Sequence, residues 1–132
     1  MSDIGSIPTP EGPAGLLLSR DLFFTSKITG TARALGHQVI VAGNAALVSA
    51  ILAKWSPVVV FVDLAGGNLV DSSALAGYRE AAPPGTPFVA FGSHVDTKAL
   101  ADAAASGCDP VMPRSKFTAE LPALIRRYFG EV

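Results

Sequence analysis

Two hydrophobic rhythms alternate along the chain. Short unbroken apolar runs suit strands buried on both faces, and the segments between them carry apolar residues at the three- and four-residue spacing of amphipathic helices. Gly15-Leu16-Leu17-Leu18 predicts a first strand, ended by Ser19-Arg20-Asp21. Phe24, Ile28, Thr31 and Leu35 then share a helical face, with Asp21 as N-cap and Gly36 as the stop. Gln38 to Ala42 predicts the second strand, and Asn44 to Lys54 a helix with Leu47, Val48, Ile51 and Leu52 on one face. After Pro57, the run Val58 to Val62 stops at an acid, Asp63, and predicts the third strand. Leu64-Ala65-Gly66-Gly67-Asn68 reads as a long, flexible loop, after which Asp71 caps a helix through Leu75 and Tyr78 that ends before Pro83-Pro84-Gly85. Pro87 to Phe91 is the fourth strand, ending at Gly92-Ser93-His94, and Asp96 opens an alanine-rich helix from Lys98 to Ser106, closed by Gly107. Pro110 to Met112 is a short fifth strand, followed by Pro113-Arg114-Ser115. Leu121, Leu124, Ile125 and Tyr128 stripe the last helix, and Pro122, which belongs in a first turn, predicts a start between Thr118 and Leu121.

Strands alternating with helices through short connections specify an α/β doubly wound parallel sheet over residues 14–130. Residues 1–13, with Pro8, Pro10 and Pro13, read as a flexible N-terminal tail docked in part through Ile4 and Ile7. With 132 residues and 49% hydrophobic content, the chain is one domain with a proper core; the mean hydropathy of +0.41 argues against disorder. A net charge of -1 gives no footprint for nucleic acid or an anionic membrane. The lone cysteine, Cys108, fits a reducing compartment. No apolar run approaches the roughly 20 residues that span a bilayer, and no secretory signal opens the chain. The expectation is a cytoplasmic protein.

In open α/β sheets the C-terminal edge carries the ligand site. The strand ends place Ser19, Arg20, Asp21, Asp63, Ser93, His94, Arg114 and Ser115 on that rim. Two arginines, hydroxyls and helix N-termini suit a small anion or a nucleotide phosphate. Arg20 has two readings: turned inward onto Asp63, or pointing to solvent. Ser93 and His94 are chain neighbours, a poor arrangement for a nucleophile and its base, and no Gly-x-Ser-x-Gly elbow is present. Gly66-Gly67 lacks the dinucleotide spacing, and two histidines with one cysteine give no metal-ligand pattern. No catalytic residue and no resident cofactor or metal is expected. Of Phe23 and Phe24, one belongs to the core; an exposed Phe23 or Phe129 would mark a partner surface.

Over residues 14–129 the chain resembles the receiver domain of bacterial response regulators. The resemblance rests on element order, on Asp63-Leu64 closing the third strand, and on Ala104 to Asp109, Ala-Ala-Ser-Gly-Cys-Asp, before the fifth. It implies a flavodoxin-like order, 2-1-3-4-5, with Asp63 at the phosphoacceptor position. The family's acidic pair for Mg²⁺ falls on Ser19 and Arg20, with Asp21 one place late. Its hydroxyl residue falls on Gly92 beside Ser93, its lysine on Arg114, the proline after it on Ser115, and its aromatic switch on Val111. The acceptor is kept and most of its machinery is changed. The expected protein is therefore an atypical, stand-alone receiver-like signalling protein, not an enzyme, acting by protein–protein contact without conventional Mg²⁺-dependent phosphorylation. The alternatives are an anion or nucleotide-phosphate module using Arg20, Asp63 and Arg114, and a conventional phosphoacceptor at Asp63. The family implies a protein partner or a homodimer on the face of the fourth helix, fifth strand and fifth helix, here Ala99–Ser106 and Leu121–Phe129.

Overall fold

In the computed structural model, which describes residues 7–130, the apolar runs form β1 (Ala14–Leu18), β2 (Gln38–Ala42), β3 (Val60–Asp63), β4 (Phe88–Gly92) and β5 (Val111–Pro113). Between them lie α1 (Leu22–Ala34), α2 (Ala45–Lys54), α3 (Ser72–Ala81), α4 (Thr97–Ala105) and α5 (Arg114–Tyr128). All strand pairings are parallel and the order is β2-β1-β3-β4-β5. This is the flavodoxin-like α/β sheet that the alternation requires.

The two-residue period of the strands divides the core between the faces. Leu17, Phe61, Val89, Phe91 and Met112 point to the side covered by α1 and α5. Leu16, Leu18, Val60, Val62, Phe88 and Ala90 face α2, α3 and the buried Ala103 of α4. Every helix before α5 begins on a side-chain cap: the carboxylates of Asp21, Asp71 and Asp96 and the amide of Asn44 accept from the backbone N–H three residues on. Within the predicted tail, Ile7 packs against the core and the Trp55 indole donates to the Pro8 carbonyl at 2.9 Å. Ile4 lies outside the described residues.

Two elements differ from the sequence pattern. Helix α5 begins at Arg114, ahead of the expected start, and keeps Pro122 in its interior. Proline there has no N–H for the carbonyl four residues back. The burial of Phe117 and Leu121 holds the early turns down nonetheless. The Phe117 ring stacks on Phe91 with centroids 4.1 Å apart and meets Phe61 edge-on at 5.5 Å. Residues 64–68, expected as a flexible loop, lie within a 3₁₀ segment (Leu64–Leu69) kinked at Gly67, where φ is 61°. The Asp63 carboxylate nucleates it by accepting from the Ala65 N–H at 3.0 Å, and the buried Leu69 anchors its far end.

Candidate functional site

Strand register assembles the rim. Leu18 is level with Val62, so Ser19 leaves β1 beside Asp63. Asp63 is level with Phe91 and Pro113 with Gly92, so Gly92 and Arg114 leave their strands at the same edge. Asp63 and Ser19 are the buried polar residues of the described chain, only 1% and 2% exposed.

A buried carboxylate must have its lone pairs satisfied. Ser19 Oγ donates to Asp63 Oδ2 at 2.9 Å, and the Ala65 N–H donates to Oδ1 at 3.0 Å. Arg114 Nη2 also donates to Oδ1, at 3.3 Å, as an ion pair whose arginine side is 38% exposed. The guanidinium lies 5.4 Å over the Phe24 ring, and its buried Nε–H has no partner. Ser19 Oγ in turn accepts from the Asp21 N–H at 3.2 Å, which fixes the hydroxyl hydrogen toward the carboxylate.

Arg20 does not join this group. Its Nε donates to the Gly43 carbonyl at 2.9 Å, and Nη1 to the Gly66 carbonyl at 3.3 Å and Asn68 Oδ1 at 3.4 Å. Neither reading from the sequence describes it. Arg20 is a strap over three loop mouths, exposed to water but engaged at both ends of its guanidinium. Asp21 is spent as the α1 cap. Ser93 Oγ accepts from the Val95 N–H at 3.4 Å, His94 is exposed, and Ser115 is exposed at the start of α5. The rim thus divides into a bonded group of Ser19, Asp63 and Arg114, a strap at Arg20, and flanking residues outside both.

The position of Gly92 has a physical cause. A Cβ there would stand 3.1 Å from Leu64 Cβ and 3.3 Å from Leu64 Cδ1, with Leu100 Cδ2 at 3.7 Å. The space that a hydroxyl side chain would need at the end of β4 is filled by leucine. This contact is invisible in the sequence, where Leu64 reads only as the residue after an acid.

The donor set does not fit a hard divalent cation, which favours several carboxylate or carbonyl oxygens. Both Asp63 oxygens are bonded, the first two positions after β1 are a hydroxyl and an arginine, and the acid that follows, Asp21, caps α1. Among the described residues no three His, Cys, Asp or Glu side chains are grouped to hold a metal. Outside the rim, burial pushes the Cys108 thiol up to about 11 against a weaker opposing pull from Arg79, so it stays a neutral core side chain. Burial, and then the Asp71 carboxylate, raise the Tyr78 hydroxyl, which donates to the Leu69 carbonyl at 2.7 Å.

Large apolar side chains are exposed at the same edge of the sheet: Leu22 and Phe23, each 83%, and Val95, 74%. Phe24 is the core member of its pair, and Phe129 is half-buried with its ring stacked on His37. Leu22 was legible from the helical spacing, since the face through Phe24 and Ile28 turns residue 22 away.

No family model and no curated protein matches the chain. Solved structures do. A two-component response regulator from Clostridium difficile is 14% identical with a TM-score of 0.76, over 90% of this chain and 97% of that one. The receiver domain of a Pseudomonas aeruginosa sensor histidine kinase, which carries a magnesium ion in its active-site cleft, is 18% identical with a TM-score of 0.74, over 92% and 100%. The chain has the receiver fold. A CheY-like protein (tadZ) from Pseudomonas aeruginosa shares it at 24% identity and a TM-score of 0.71, over 89% of this chain and 99% of that one. No helix among the described residues of this receiver-like chain is long and apolar enough to cross a membrane.

Proposed function

We propose that this receiver-like chain is a signalling module that acts through contact with a partner protein, is not an enzyme, and holds Asp63 outside conventional Mg²⁺-dependent aspartyl phosphorylation. The observation that carries the reading is that protein donors, one of them a guanidinium, engage both oxygens of the buried Asp63. Ser19 holds one oxygen; the Ala65 N–H and Arg114 hold the other. Aspartyl phosphorylation needs one free carboxylate oxygen as nucleophile and a cation to screen the incoming phosphoryl dianion. Here the nearest cation is a guanidinium already bonded to the nucleophile. Leu64 packed over Gly92 and Val111 in β5 support the same reading, since neither offers a hydroxyl or an aromatic ring to respond to a phosphoryl group. An anion-binding role draws less support, because Arg20 and Arg114 are both engaged with the protein itself.

Intact mass after incubation with acetyl phosphate, with and without Mg²⁺, tests the reading. The expected result is an unchanged mass in both. Gain of one phosphoryl group that disappears in Asp63→Asn overturns it.

A further inference from the structure

A groove of about 550 Å³ runs between the 3₁₀ segment, the start of α3 and the outer side of α4. The partly exposed Leu64 and Ala99, over the buried Val70, Leu75 and Ala103, give it an apolar floor. Asp71, Asp96 and Asp102 edge it beside Lys98, with Arg20 bonded to the 3₁₀ segment on either side of Gly67. Two of these carboxylates keep a spare oxygen. Asp71 Oδ1 and Asp96 Oδ1 cap their helices, and the other oxygen of each accepts no hydrogen bond from the described residues. Asp102 is held by Lys98 at 2.7 Å, but the lysine side chain is 86% exposed and free to leave. An exposed pair of this kind is worth little, so a better donor displaces it.

We propose that this groove docks a basic segment of a partner protein, with one aliphatic side chain on the floor and arginines bonded to the flanking carboxylates. Charge selects this occupant. Three lining carboxylates outnumber the lining ammonium, and Arg20 behind the 3₁₀ segment is already bonded, so the groove disfavours an acidic partner. Its partly exposed Leu64 and Ala99 favour one that also carries an aliphatic side chain. The acids are not grouped to hold a metal ion either, so a multivalent basic side-chain array matches their spread where a point cation does not. Leu64 ties the groove to the rim, because it lines the floor, follows Asp63 directly and packs over Gly92. An occupant therefore presses on the residue next to the buried carboxylate. The inference rests on the contact-signalling reading and supplies the chemistry of its partner.

The test uses the full chain, isotope-labelled, titrated with the synthetic peptide acetyl-Lys-Arg-Ala-Leu-Ala-Arg-Lys-amide and followed by amide chemical shifts. Saturable shifts confined to Leu64, Val70, Ser72, Ala99 and Ala103 are expected. In Asp71→Asn/Asp96→Asn, binding should weaken about tenfold, the loss from removing charge-assisted bonds. Asparagine still caps both helices, so an unchanged spectrum elsewhere verifies the fold of the variant. Absence of saturable shifts overturns the proposal, as do shifts spread over the whole surface or binding indifferent to the double substitution. Shifts at these amides that grow with protein concentration alone would assign the groove to a second copy of the chain and also overturn it. The phosphodonor experiment fails or succeeds independently: a phosphorylated Asp63 sinks the contact-only reading even where the peptide binds.

Discussion

The two acidic regions at this end of the sheet are built on opposite terms. Asp63 is buried, and its bonds run to β1 through Ser19, to the 3₁₀ segment through Ala65 and to α5 through Arg114. Asp71, Asp96 and Asp102 stand at the surface, each serving its own helix with one group and showing the rest to water. The difference separates structural from available charge. A buried carboxylate whose two oxygens are both engaged by the protein, one through a guanidinium, contributes to the fold and has less left for a ligand. One that is half-answered at the surface keeps its recognition capacity at small cost to stability.

That contrast breaks most visibly at Arg114. Removing it leaves a buried carboxylate held by a hydroxyl and one N–H, with no countercharge. Fully buried pairs lose roughly 3–5 kcal/mol when one partner is deleted. Solvent reaches more than a third of the Arg114 side chain, so the loss from Arg114→Ala is expected near 1–3 kcal/mol. Urea unfolding at neutral pH measures it. A loss below about 0.5 kcal/mol would place Asp63 in a far more solvated site than its burial implies, and the comparison would collapse.

Much of the architecture was legible because it is local. The strand runs, the helical stripes and the caps at Asp21, Asp71 and Asp96 depend on neighbours within a few residues, and the structure keeps each element with shifts at the edges. Strand β3 begins at Val60, not Val58, and Ala32 joins Phe24 and Ile28 on the buried face of α1. What escaped depends on partners far away in the chain. Arg20 bonds carbonyls 23 and 46 residues distant, which no local pattern announces. The start of α5 follows Phe117 settling among Phe24, Phe61 and Phe91, and that burial outweighs the local rule at Pro122. Gly92 reads in sequence as a missing hydroxyl; its cause, the Leu64 side chain lying where a Cβ would go, exists only in three dimensions.

Gly92 offers the next sharpest probe, since it lies between the two regions. Gly92→Thr must push Leu64 aside, and overpacking of this kind costs roughly 1–3 kcal/mol. Leu64→Ala keeps the Cβ at 3.1 Å but removes the Cδ1 contact at 3.3 Å, so the double variant should recover part of the clash and be more stable than the two separate losses add up to. A thermodynamic cycle from denaturant unfolding should show favourable coupling above about 0.5 kcal/mol. Additive losses would mean that the contact does not constrain β4, and that Leu64 does not link the groove to the rim.

The smallest expected effect is the most informative about the groove. Asp96→Asn keeps an N-cap for α4 and removes only charge, so stability should stay within about 0.5 kcal/mol of the parent. Asp96→Ala also removes the bond to the Ala99 N–H and should cost about 1 kcal/mol. The gap between the two variants isolates the cap from the charge. A large loss in Asp96→Asn would show that the fold itself depends on the charge, as it does at Asp63. A negligible one leaves that charge free to recognise something outside the molecule, which is the property that distinguishes the groove from the pocket.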